Sequence, residues 1–400
     1  MIDSPWLLAA VWMGLALAAS LISIRTAISI ALVEICLGCV AGNVLDLKTT
    51  EWINFLASFG SILLTFLAGA EIDPKSLRKH WKPAVSIGFV SFLGPFVGAW
   101  AFAYWVLGWD PNASKIAGIA LSTTSVAVVY AVMIETGLNR NDLGKLILAA
   151  CFVTDLGTVL ALGVMFAHYN IWLVVFLGAS AVVMPFAGML TERFLKRYEG
   201  QVSEPEIKLL LLMLFALGGL AAMANSEAVL PAYILGLVVA GAFARHRETI
   251  RHIRIATFAM LTPFYFLKAG ALVHIGSVWT GLSAIAMLLG VKMLAKFIGV
   301  YPVTRLFKQD NTTGAYTTLL MSTGLTFGTI SAMFGLSRKL VTPSQYSVLV
   351  TVVIASAVVP TLIAQRHFKP KLSAMRFQAE DEALTLSEAD NGTKATGQAK

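Results

Sequence analysis

Along this chain of 400 residues, apolar runs roughly 17–25 residues long succeed one another with short polar separators, and that is the length at which a helix crosses a lipid hydrocarbon core. Inside hydrocarbon no water can pair a free N–H or C=O, so each run must close its hydrogen bonds internally as a helix. Charged residues make up only 13% of the chain, about half the share of a soluble domain. An ordinary water-facing surface cannot be built from that supply. The expected fold is an all-α polytopic membrane protein.

About thirteen spans are read, near residues 6–23, 28–42, 52–70, 83–107, 115–136, 146–167, 171–190, 207–224, 228–244, 257–274, 277–303, 312–335 and 344–364. The opening residues MIDSPW lack the basic start of a cleavable signal, so the first run is counted as a retained span. Residues 1–366 form a transmembrane domain in this reading. Residues 367–400 are polar and aperiodic, as expected of a disordered tail. Taken over alternate loops and the tail, Lys and Arg divide 19 against 4. By the positive-inside rule this puts the N-terminus outside and the C-terminus in the cytoplasm of a plasma (inner) membrane. The formal charge of +8 is thus a topology signal at an anionic leaflet and calls for no nucleic-acid partner. Cys36, Cys39 and Cys151 lie in apolar runs without a metal-ligand set and are read as buried small hydrophobes. There is no nucleotide-binding loop or catalytic triad pattern, so neither an enzyme nor a cofactor is expected.

Two distant spans share wording: LSTTSVAVVYAVMIETGLNR from Leu121 and LMSTGLTFGTISAMFGLSR from Leu320. They are the fifth and twelfth spans, and an odd separation makes them cross the membrane in opposite directions. Inverted repeats of this kind mark secondary transporters, with the substrate site near the midplane where the copies meet. The first copy carries Ser122, Thr123, Thr124 and Ser125 at mid-depth; the second carries Ser322, Thr323, Gly324 and Thr326. Hydroxyl and glycine clusters let a helix unwind and offer oxygens to a cation. Close packing through small residues is the alternative for either cluster alone.

Ionisable residues inside spans are costly and usually functional. Asp155, in ILAACFVTDLGTVLALGVM, is the clearest: a carboxylate there holds a proton or a dehydrated monovalent cation, not both. Thr154 can add a hydroxyl oxygen to the same ion. Lys292 and Lys296 lie four apart on one helix face. Lys292 is read as the deeper charge partner, with snorkelling to the cytoplasmic end one option for the other lysine. The roles of Glu34, Lys268 and Lys296 stay open. These residues point to exchange of Na+ or K+ for protons, with the choice of ion undecided. The alternative is a sodium-coupled symporter of a small organic solute, although few Asn, Gln or Arg side chains fall within the spans.

Seven phrases recur in order: VEICLGCVAGNVL from Val33, LLTFLAGAEID from Leu63, STTSVAVV from Ser122, ACFVTDLG around Cys151, ILGLVVAGAFAR from Ile234, PFYFLKAGALV from Pro263 and GVKMLAKFIG from Gly290. On them the chain resembles the monovalent cation:proton antiporter-2 family of the NhaA-like sodium/proton antiporter superfamily, over about residues 10–365. The resemblance implies two inverted repeats with crossed, unwound helices, a core plus a dimerisation bundle, a homodimer, and elevator-type alternating access. It places Asp155 on the family's ion-binding aspartate and Lys292 on its buried lysine. Many relatives carry a second acid or an amide directly before the aspartate, where this chain has Thr154. That departure implies electroneutral exchange.

Overall fold

The computed structural model describes residues 4–26, 28–45, 49–70, 81–136, 138, 141–166, 171–198, 200–201, 203–223, 228–243, 245–368 and 370. The expected tail lies outside the described residues beyond position 370. Every regular element among the described residues is helical. In order they are α1 (Pro5–Thr26), α2 (Ile30–Val44), α3 (Glu51–Ala70), α4 (Trp81–Trp105), α5 (Pro111–Ser122), α6 (Val126–Thr136), α7 (Asp142–Met165) and α8 (Ile171–Tyr198). They continue as α9 (Pro205–Met223), α10 (Val229–Phe243), α11 (Arg247–Ala256), a π-helical turn (Thr257–Leu261), α12 (Thr262–Ala271), α13 (Ile275–Thr280), α14 (Leu282–Leu306), α15 (Asn311–Met321), α16 (Thr326–Ser337) and α17 (Pro343–His367). Among the described residues, eight helices or helix pairs are long and apolar enough to cross a membrane, with α2 and α10 as shorter apolar helices. Ten of the expected spans fall on these; those near 171–190, 207–224 and 257–274 fall on α8, α9 and the π-helical turn with α12, which are not among them.

The repeat reaches far beyond the two matching phrases. α1 and α9 start at Pro5 and Pro205, α2 and α10 at Ile30 and Val229, and α4 and α14 at Trp81 and Leu282. α5 and α15 start at Pro111 and Asn311, α6 and α16 at Val126 and Thr326, and α7 and α17 at Asp142 and Pro343. Nearly every helix before α8 therefore has a mate about 200 positions on. Asp110 and Asp310 occupy the same N-cap position in the two halves, and Asp310 accepts from the N–H groups of Thr312 and Thr313.

Contacts fix the relative directions of the helices. On α2, Gly38 meets Leu267 and Gly42 meets Ala271, so α2 and α12 run parallel. α4 and α14 are antiparallel, because Gly94 meets Ala295 while Gly299 meets Val90. Gly328 and Gly335 of α16 lie on Ala120 and Ile116 of α5, which makes these two antiparallel as well. The last pair is the inverted arrangement read from the sequence. Lipid tails are as apolar as leucine, so helices gain little by hiding side chains from them and associate instead by close backbone approach at small residues. For the same reason Cys36 faces outward on α2; its expected burial is corrected, whereas Cys151 is buried.

A Cβ on Gly270 would overlap the Ile35 carbonyl oxygen across the α2–α12 seam, whereas nothing lies within 4 Å of the same atom on Gly14. Gly270→Val should therefore destabilise the protein by at least about 1–3 kcal/mol through overpacking. Gly14→Val should be near neutral, and thermal unfolding in detergent micelles separates the two.

Candidate functional site

Both candidate spans break where their hydroxyl clusters lie. α5 ends at Ser122 and α6 begins at Val126; α15 ends at Met321 and α16 begins at Thr326. The backbone between them leaves the helical ladder at a depth where water cannot replace it. The two breaks satisfy one another. Ser125 N–H donates to the Thr323 carbonyl at 2.9 Å, and Thr124 Oγ1 donates to the Met321 carbonyl at 2.8 Å. Ser122, Thr123, Thr124, Ser125, Ser322, Thr323 and Gly324 are buried at this crossing, and Thr326, half-buried, opens α16.

The hydroxyl protons are already committed. Ser122 and Thr123 donate to Ile119 and Ala120 carbonyls, and Ser322 and Thr323 donate to those of Thr318 and Leu320. Each hydroxyl oxygen thus keeps lone pairs and no free proton, so the crossing is rich in acceptors. Two ammonium groups answer it. Lys296 Nζ donates to Ser91 Oγ (2.6 Å), the Ser122 carbonyl (3.0 Å) and Thr124 Oγ1 (3.1 Å). Lys292 Nζ donates to Ser356 Oγ (2.9 Å) beside Gly324, where a Cβ would collide with that ammonium group. Both lysines are 0% exposed.

Asp155 stands on α7, 1% exposed, and its Oδ1 has no hydrogen-bond partner. The opposite charge that acts on it is Lys296. Thr154, next to it, donates to the Ala150 carbonyl (3.0 Å) and, more weakly, to that of Gly88 on α4 (3.3 Å), which leaves its oxygen lone pairs available. Among the described residues no three His, Cys, Asp or Glu side chains cluster. Oxygen donors for a cation here are one carboxylate, hydroxyls and freed carbonyls, a set suited to a hard ion of low charge.

A cavity of about 190 Å³ opens from the surface between α3, α12 and α16, with Ser58, Ser61, Val229, Tyr265, Lys268 and Ile330 in its lining. Val229 and Ile330 are about one turn from Tyr233 and Phe327, whose rings meet edge to face at 6.3 Å, and Tyr233 Oη donates to the Phe152 carbonyl at 3.0 Å.

A sequence model described as "Sodium/hydrogen exchanger, transmembrane" matches residues 9–368. The chain belongs to the sodium/hydrogen exchanger family. It is 24% identical to "Probable Na(+)/H(+) antiporter 3" of Methanocaldococcus jannaschii over 358 residues, covering 86% of this chain and 90% of that one. The Na(+)/H(+)-K(+) antiporter GerN of Bacillus cereus is 22% identical over 351 residues, with 85% and 87% covered. Other curated relatives are longer, and the chain spans 60% and 43% of two of them. Among solved structures, the sodium proton antiporter MjNhaP1 of Methanocaldococcus jannaschii matches with a TM-score of 0.70 at 16% identity, over 92% of this chain and all of that one, which shows a shared fold.

Within this exchanger fold the expected lysine roles change. Lys296 does not snorkel: its ammonium group turns inward to the first break and is the one that acts on Asp155, while Lys292 serves the second break through Ser356. Lys292 bonds Ser356, and its expected part as charge partner of Asp155 stays a proposal. Four residues apart on one helix, the two face the same way but bond different partners, Ser356 for Lys292 and Ser91, Ser122 and Thr124 for Lys296. Ser91 and Ser356 were missed. The repeat is the signal that finds them: with mates about 200 positions apart, Ser91 corresponds to Lys292 and Asp155 to Ser356.

Lys296→Met would strip Ser91, Ser122 and Thr124 of a charged donor and leave Asp155 without its countercharge. A loss of about 1.5–3 kcal/mol is expected, recovered in part by adding Asp155→Asn. Thermal unfolding of the single and double variants measures both.

Proposed function

We propose that this exchanger trades Na+ or K+ for protons at Asp155. The observation that carries the reading is the buried, unpartnered Asp155 oxygen beside two crossed breaks whose Ser122, Thr123 and Thr323 hydroxyls donate back to their own helices and keep lone pairs free. A site of lone pairs with one carboxylate holds a dehydrated cation when the acid is ionised and nothing when a proton occupies it. Thr124, Ser125, Thr123 and Thr154 on one side, with Ser322, Thr323, Gly324 and Thr326 on the other, supply the remaining oxygens or the unwound backbone. Lys296 keeps the empty crossing from holding excess negative potential, and the incoming ion competes with it for the same oxygens.

The cycle in this proposal is an elevator. The core, α4–α7 with α14–α17, moves against the bundle of α1–α3 with α9–α12, and α8 joins the two halves. Support comes from the seams, since the glycine-tight contacts above fall inside each unit. Few side-chain hydrogen bonds among the described residues join the units, chiefly Tyr233 to the Phe152 carbonyl and Tyr346 to the Ala269 carbonyl. The protein is placed in the plasma (inner) membrane as a homodimer, N-terminus outside and C-terminus in the cytoplasm, on the strength of the Lys and Arg distribution and the family resemblance.

Thr154 in place of a second acid makes exchange one for one, because a single carboxylate carries either one proton or one monovalent cation. In proteoliposomes with a pH dye, sodium or potassium pulses should drive proton movement in the wild type and none in Asp155→Asn, which a neutral amide renders unable to exchange protons. On a solid-supported membrane the wild type should give no sustained current that tracks turnover. Normal exchange by Asp155→Asn would remove the site from the mechanism, and a sustained current would refute the one-carboxylate stoichiometry.

A further inference from the structure

The membrane part holds a second buried acid that exchange at Asp155 leaves unused. Glu34 on α2 is 1% exposed, and neither of its carboxylate oxygens has a hydrogen-bond partner. An unpaired carboxylate kept from water is expensive in any fold, and inside a membrane it is by default a functional residue.

The repeat says where it stands. α2 and α10 begin at Ile30 and Val229, so Glu34 is the mate of Tyr233. Tyr233 stands one turn beyond Val229, which lines the cavity: its hydroxyl is bonded to Phe152, three residues before Asp155, and its ring meets Phe327. Carried through the inverted symmetry, Glu34 occupies the matching place at the opposite membrane side of the crossing. There the mates of Phe152 and Phe327 are Val353 on α17 and Ala127 on α6. The apolar cluster that contains its neighbours Leu32 and Ile35 also contains Leu64, Val128 and Val353. By that symmetry the acid lies on the side of the crossing away from the open cavity, and the residues flanking it on α2 belong to the packed core.

Among the described residues, its surroundings supply no partner that would make it a structural ion pair. α2 packs on α12 and α1. α12 presents Tyr265, whose hydroxyl is buried without a partner, and Lys268, which lines the cavity; α1 presents Arg25, exposed near its end. On α2 itself are Cys36 and Cys39, and from α17 Tyr346 is committed to the Ala269 carbonyl.

We propose that Glu34 is a proton-relay carboxylate on the side of the crossing away from the open cavity. When that side opens, the proton on Asp155 passes to the Glu34 carboxylate and from there to water, leaving Asp155 ionised to take the cation; loading from that side runs in reverse. Glu34 belongs to the bundle outside the crossing, so it is not carried with the ion and the one-for-one stoichiometry is unchanged. The inference rests on the Asp155 reading above.

Three variants in proteoliposomes test it: Glu34→Gln, Glu34→Asp and Asp155→Asn, each with rates measured across pH and thermal unfolding recorded in detergent. Glu34→Gln should fold at least as stably as wild type and keep its apparent KM for the cation. Its maximal rate should fall at least about tenfold and its pH profile should shift, while Glu34→Asp recovers much of the rate. Wild-type rate and pH profile in Glu34→Gln, with Asp155→Asn inactive, overturn the relay alone. A destabilised Glu34→Gln with an unchanged pH profile also overturns it, by making the residue structural. Activity in Asp155→Asn overturns the reading beneath it.

Discussion

Everything at the centre of this molecule follows from peptide groups released from their helices where no water can reach them. Two spans unwind at mid-depth, and each break would leave several costly unpaired groups if it stood alone. They are tolerable because they cross. Thr124 and Ser125 bond the second break directly, through the Met321 and Thr323 carbonyls, and the amine of Lys296 takes up the Ser122 carbonyl. Acceptors still exceed donors at the crossing, and the amine of Lys296 takes up part of that excess.

The duplication explains how such a crossing arises and why it is chemically lopsided. A twofold-related pair of halves supplies two breaks, two flanking helices and two long helices in α4 and α14. At equivalent positions the halves then differ: Asp155 against Ser356, and Lys292 against Ser91. One half gives the carboxylate and the other gives the amines. Symmetry builds the cage and its violations make it a site. The same logic separates Tyr233, which bonds across to the core, from Glu34, which has nothing to bond.

The spans were legible because length and hydropathy alone decide what can cross a bilayer. STTS at Ser122 and STG at Ser322 also showed the breaks, since hydroxyls and glycine fill every unwound position except Leu325. The full repeat was not legible: lipid-facing positions accept almost any apolar residue, so helix lengths and starts kept the relationship while the wording drifted. Sequence favours Lys292 as the deeper of two lysines on one helix face, yet both are fully buried, and which oxygens each reaches depends on how the chain folds around α14. Ser91 and Ser356 looked like ordinary packing residues until the register linked them to Lys292 and Asp155. Glu34 could be noticed but not placed without that register.

If one carboxylate at the crossing alternates between proton and cation, binding the cation must expel the proton even when nothing is transported. The direct measurement is proton release from purified protein in weakly buffered detergent solution, read with a pH dye as Na+ or K+ is added near neutral pH. About one proton should leave for each cation bound to the wild type, and none should leave from Asp155→Asn. Cation binding without proton release, or the same release from Asp155→Asn, would contradict the account.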